Sequence, residues 1–192
     1  MLFNSAAFLA FYALFFPLYW MVHKNLKVRN ALILLASYFF YGSWDWRFLS
    51  LIMLSTAVDY VCGLRMHAAE DQRSRRFFLG VSLFVNLGVL ATFKYMDFFV
   101  TEFVAMLTGL GVNINYTTLN IVLPVGISFY TFQTLSYTID IYYKRLEPTR
   151  NLLNFATFVA FFPQLVAGPI ERARALLPQI ERNTKFSMVD LR

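Results

Sequence analysis

Residues 2–22 read LFNSAAFLAFYALFFPLYWMV, an uncharged run long enough to cross a bilayer as a single helix. Pro17 interrupts it, which a membrane helix tolerates where its neighbours satisfy the freed carbonyl. A cleavable leader places basic residues before the apolar run and small residues at its end. Here Lys24, Lys27 and Arg29 come after the run, and bulky Tyr19-Trp20-Met21 closes it. The segment therefore reads as a retained anchor with its N-terminus outside and the basic cluster on the cytoplasmic side.

The whole composition follows that segment. The 192 residues are 58% hydrophobic and 15% charged, where a soluble domain carries about 25% charged residues. Phe occurs 22 times and aromatics make up 19%, more apolar surface than one soluble core of this length can bury. A net charge of +6 could suit nucleic acid. The basic residues, however, fall in short clusters between apolar runs, as cytoplasmic loops of a membrane protein do. The expected partner is the lipid bilayer and not a nucleic acid. The single cysteine, Cys62, excludes an intrachain disulfide and reads as a small buried hydrophobe. His23 and His67 lie beside basic residues, and no metal-binding spacing is present, so neither a metal nor a bound cofactor is expected.

Moving outward, residues 31–41 and 48–63 are apolar stretches joined by GSWDWR at 42–47, where Trp44 and Trp46 read as interfacial anchors. Arg65, Arg73, Arg75 and Arg76 mark a second cytoplasmic loop, and residues 77–93 cross back. Residues 95–110, beset by Lys94, Asp97 and Glu102, either prolong that helix or lie at the interface. Residues 113–120 form a polar outer loop, whose Asn115-Tyr116-Thr117 sequon is a common chance triplet. Residues 121–143 return inward to Lys144, Arg145 and Arg150, and residues 152–167 form a last apolar segment broken at Pro163. The fold class is all-α: a polytopic transmembrane helical bundle with a broken or re-entrant segment and short interfacial helices. It is one membrane domain over 1–192. The closing SMVDLR resembles the opening of another helix, so a longer chain is expected.

Residues 125–144 carry most information. Gly126, Tyr130, Gln133, Tyr137, Asp140 and Lys144 recur at spacings of four and three, a stripe about 80° wide at 100° per residue. Phe132, Leu135, Ile139 and Tyr142 form the opposite, lipid-facing side. The stripe serves either interhelical hydrogen bonding or a polar substrate cavity. Asp140 and Lys144, four apart, are expected to pair, as is Asp59 with Arg65; Asn86 is expected to bond across helices. In FFPQLVAGPIER, residues 161–172, Pro163 and Gly168-Pro169 preclude an unbroken helix. Pro169 would open a new helix, amphipathic through Ile170, Ala173, Leu176, Leu177 and Ile180, lying on the cytoplasmic surface. Arg172 would shape a groove there. No phosphate loop, G-x-S-x-G elbow or Ser-His-Asp set exists, and a membrane transporter or export component shares these features.

The stretch LPVGISFYTFQ, residues 123–133, resembles the membrane-bound O-acyltransferase family, and FFPQLVAGPIER is a second match. Phe93-Lys94-Tyr95, Asp97-Phe98-Phe99 and LASYFFY at 35–41 add agreement in the family's order. Gln133 and the PQLVAGPI form resemble the bacterial alginate and peptidoglycan O-acetylation branch more than the D-alanyl branch. The resemblance implies the N-terminal portion of a bacterial inner-membrane enzyme that moves an acetyl group, from acetyl-CoA, towards an extracytoplasmic polysaccharide such as alginate. A periplasmic acetyltransferase partner would act alongside. The family's catalytic histidine lies further along a longer chain. Neither His23 nor His67 falls in a matching motif, so no catalytic residue is carried over. The candidate substrate-cavity residues are Tyr130, Gln133, Tyr137 and Arg172.

Overall fold

A computed structural model describes residues 3–111, 123–165, 168 and 171–182. The expected outer loop, its sequon, and Pro169 as the first residue of a new helix lie outside these residues. The described chain is helical throughout: α1 (Ala6–Val22), α2 (Leu26–Asp45), a 3₁₀ turn (Trp46–Phe48), α3 (Leu49–Ala68), α4 (Gln72–Gly109), α5 (Ile127–Tyr142), α6 (Leu152–Val159), α7 (Phe162–Leu165) and α8 (Ala173–Glu181). Two helical stretches, Leu26–Ala68 and Gln72–Gly109, are long and apolar enough to cross a membrane. The first is interrupted at Asp45, whose extended backbone begins the 3₁₀ turn between α2 and α3.

Capping sets where these helices start and stop. The Asn25 side chain accepts from the Lys27 and Val28 amides, so α2 begins five residues before its apolar run and takes Arg29 and Asn30 into the helix. Asp71 accepts from the Ser74 amide at 2.7 Å at the start of α4, and that hydrogen bond holds its carboxyl below the usual carboxylate range. Helix α4 then runs unbroken for 38 residues, about 57 Å at 1.5 Å per residue. Lys94, Asp97 and Glu102 do not interrupt it; residues 95–110 prolong it. Its fully buried residues end at Leu90; Phe93 still packs on the core beside Phe48, and Lys94 Nζ donates to Ser128 Oγ of α5 at 3.3 Å.

At the other end of α5, Lys144 adopts φ 57°, with its amide on Ile141 and the Arg145 amide on Asp140 at 2.8 Å. This is a Schellman stop with lysine in the position glycine usually takes. It turns the chain away from the helix axis, so the expected Asp140–Lys144 pair does not form. Helix α5 is central and not half lipid-facing: Leu135 is buried alongside Gln133 and Tyr137, and Phe132 is the exposed exception. Elsewhere the outer surface is apolar, with Phe84 81% and Leu35 66% exposed, as a lipid-facing surface requires. Helix α1 contributes no buried residue and packs on α2 through rings such as Phe11 on Phe40.

Candidate functional site

The two sequence motifs meet backbone to backbone. Gly126 precedes α5 with φ 75°, and a Cβ there would lie 2.7 Å from the Leu165 carbonyl oxygen at the end of α7. Only glycine supplies both the left-handed angle and that approach. The last apolar segment breaks as expected, but one turn earlier, at Ala160–Phe161, and Pro163 sits harmlessly in the first turn of α7. The break exposes donors and acceptors that side chains then satisfy. The Phe162 amide donates to Ser37 Oγ at 3.2 Å, and Gln133 Nε2 donates to the Phe158 carbonyl at 2.7 Å with Gln164 Oε1 at 3.4 Å.

Buried cations work in the same way. Arg75, expected in a solvated loop, is 5% exposed and donates to the carbonyls of Met66, Ile141 and Tyr142 at 2.8–3.0 Å. It closes the ends of α3 and α5 together, where the helix dipole favours a cation. Arg29, 2% exposed, donates to the Ile180 and Arg182 carbonyls at 2.6 and 2.9 Å, and Asn30 Nδ2 donates to Ile180 and to Asn154 Oδ1. These bonds close α8.

A second polar layer joins α3, α4 and α5. Asp59, fully buried, accepts from Ser82 Oγ at 2.6 Å, and Asn86 Nδ2 reaches both its oxygens at 2.9 Å. Asn86 Oδ1 accepts from Ser55 and, at 3.3 Å, from Thr134; Thr138 Oγ1 lies 3.0 Å from Ser82 Oγ. Asn86 thus bonds across helices as expected. Asp59 does not pair with Arg65: neutral donors from α4 hold it, and among the described residues no cation is within ion-pair distance. The i,i+4 pairs Ser55/Asp59, Ser82/Asn86 and Thr134/Thr138, one per helix, were the signal in the sequence for this layer.

Tyr130, Gln133 and Tyr137 therefore share one buried face. Gln133 is occupied by the helix break. The Tyr130 and Tyr137 hydroxyls are buried, that of Tyr130 with no hydrogen-bond partner among the described residues and that of Tyr137 beside the Thr149 backbone. The Tyr137 ring packs 4.4 Å from that of Phe155 and over Gly63, where a Cβ would come within 2.9 Å of it. Arg172 does not join them. It is exposed and non-helical, and α8 starts after it, held to the middle of α5 by the Ala173 amide on Ser136 Oγ at 3.3 Å. Helix α8 is amphipathic as read, burying Ala173, Leu177 and Ile180. His23 bonds the Trp20 carbonyl, and His67 is exposed in the last turn of α3. Among the described residues no group of His, Cys, Asp and Glu could hold a metal ion.

The chain is 43% identical over 96% of its length to a probable alginate O-acetylase, AlgI, of Azotobacter vinelandii, and 40% identical over 96% to that of Pseudomonas aeruginosa. It is 31% identical over 97% to a peptidoglycan O-acetyltransferase of Helicobacter pylori. This chain is a relative of the alginate and peptidoglycan O-acetyltransferases. It corresponds to their N-terminal third, spanning 35–40% of these relatives' length. The motif resemblance and the homology thus point the same way, and both imply a membrane setting. No family model matches the chain, and no solved structure does.

Proposed function

We propose that this chain forms the N-terminal part of an inner-membrane O-acetyltransferase that passes an acetyl group from cytoplasmic acetyl-CoA towards an extracytoplasmic polysaccharide such as alginate. The observation that carries the reading is the 43% identity to an alginate O-acetylase along 96% of the chain. A periplasmic acetyltransferase would complete the transfer to the polymer. In this reading the described bundle is the frame: Gln133 holds the broken helix, and the buried hydroxyls of Tyr130 and Tyr137 face the acyl path. Arg172, exposed at the start of α8, guides the donor's phosphates.

Transfer from a thioester to a hydroxyl needs a group to take the proton, and a poised histidine is the usual choice. His23 and His67 stand outside the buried stripe, so the 192-residue chain alone does not catalyse the reaction. The test is complementation in a strain lacking its own alginate O-acetylase, with polymer acetylation as readout. The 192-residue chain should leave acetylation at background, and a longer product of the same reading frame should restore it. In that longer product Tyr130→Phe and Tyr137→Phe should lower acetylation while membrane levels hold. Acetylation restored by the short chain, or by neither chain, overturns the proposal.

A further inference from the structure

An apolar groove of about 380 Å³ runs between α1 and the α7–α8 side of the bundle. Its walls include Phe15 and Phe16 of α1, Phe161, and Leu176 of α8, and it reaches Trp20 and Arg29. That size and lining are those of a small-molecule site, mostly apolar with a few polar groups at one end. Helix α1, one wall of the groove, buries no residue of its own, so the groove lies at the outer, lipid-facing surface of the bundle.

Its polar end is Arg29, and exposed cations adjoin that end in the chain without lining the groove. The guanidinium of Arg29 is fixed there by the Ile180 and Arg182 carbonyls. Lys24 and Lys27, in the turn and first turn that link Trp20 to Arg29, are exposed, as is Arg182 at the end of α8. Among the described residues at this end Glu181 supplies the opposing carboxylate. An aromatic groove bounded by a tryptophan and a buried arginine, with exposed lysines in the adjoining turn, matches an anionic phospholipid in both halves. The acyl chain meets the rings, and the phosphate meets the lysines. A nucleotide thioester would satisfy the cations but leave its adenosine against lipid-facing phenylalanines.

We infer that this groove is a binding site for one anionic phospholipid, its chain between α1 and α7 and its headgroup at Lys24 and Lys27. The site rests on the membrane setting and not on acetyl transfer, so it can fail or hold independently of the function proposed above.

The test is native mass spectrometry of the full protein released from nanodiscs of mixed phosphatidylglycerol and phosphatidylcholine. The wild type should retain one phosphatidylglycerol with a preference of about tenfold, which 0.5 M salt weakens. The double variant Lys24→Gln, Lys27→Gln should keep a lipid but lose most of that preference, and Gln179→Trp, filling the groove mouth, should lose the retained lipid of either kind. Helical circular dichroism checks that both variants fold; the wild-type preference and its salt dependence decide the matter if they do not. Retention without preference, preference unchanged in both variants, or displacement of the lipid by acetyl-CoA would overturn the site.

Discussion

Replacing Gly126 with alanine should be the most damaging of three single-methyl additions in this bundle. The backbone there has φ 75°, and a left-handed residue bearing a Cβ costs about 1–2 kcal/mol. The new methyl would also stand 2.7 Å from the Leu165 carbonyl oxygen, against 3.4 Å or more for ordinary contact. Backbone must therefore give by about 0.7 Å, the difference of those two distances. Helix α7 cannot yield freely, because Leu165 is fully buried and the Phe162 amide is tied to Ser37. Forcing such a shift in a packed interior costs about 1–3 kcal/mol more, giving roughly 2–5 kcal/mol together.

Two other glycines calibrate that figure. Gly63→Ala meets the Tyr137 ring at 2.9 Å and Ile141 Cδ1 at 3.0 Å. It is helical and so recovers about 0.5–1 kcal/mol of helix propensity; its net loss should be smaller. Gly80→Ala meets nothing within 4 Å and should be neutral or stabilising by up to about 1 kcal/mol. Thermal midpoints of the three purified variants, followed by helical circular dichroism and by loss of the monodisperse size-exclusion peak, should rank Gly126→Ala below Gly63→Ala below Gly80→Ala. If Gly126→Ala melts with the wild type, the two motifs do not meet at this contact and the account of their junction is wrong.

Asn86→Ala should destabilise the bundle by about 2–4 kcal/mol, because it leaves the buried Asp59 carboxylate short of donors. Asp59→Leu combined with Asn86→Leu should recover part of that loss, and a double variant no better than Asn86→Ala in chemical denaturation would count against the layer. At the start of α4, the Asp71 cap lowers that carboxyl in the folded state. Its stabilisation is full above the ordinary carboxylate range and is lost as pH falls through the lowered folded value. Hydrogen exchange of the first turn of α4 should quicken below about pH 4 in the wild type but show no such step in Asp71→Asn; an identical step in both would exclude the cap as its source. Single cysteines at Lys27, Arg73 and Arg145, in a Cys62→Ser background, should resist an impermeant thiol reagent in intact cells, whereas a cysteine at Trp46 should react. The reverse pattern would invert the topology.

The helices were legible wherever apolar runs met recognisable stops, but their ends were set by caps that hydropathy does not weigh. Asn25 drew Arg29 and Asn30 inside α2, and Asp71 drew Arg75 inside α4. A charged residue beside an apolar run looks like a loop in sequence. It becomes structural when a broken helix elsewhere in the chain leaves carbonyls within its reach, and that reach is a tertiary fact. The same limit explains Asp59. Local spacing offered Arg65, while the fold supplied Ser82 and Asn86 from the next helix.

The candidate stripe lies along one buried face of α5 as far as Asp140, while Lys144 falls beyond the helix in its stop. Gly126, Tyr130, Gln133 and Tyr137 do share one side of α5, but that side meets two different surroundings. Gly126 and Gln133 are committed to the break after α6, where a carbonyl at 2.7 Å and a backbone contact leave them no freedom to bind anything else. Tyr130 and Tyr137 carry buried hydroxyls that no good hydrogen bond satisfies among the described residues, a cost of up to about 1–3 kcal/mol that a folded protein seldom bears without return. Removing the oxygen is therefore the informative change. If these hydroxyls are only packing, Tyr130→Phe and Tyr137→Phe should raise stability and leave acetylation untouched in the longer protein. If they face the acyl path, stability should rise while acetylation falls, and that opposite movement is a result no purely structural role can produce.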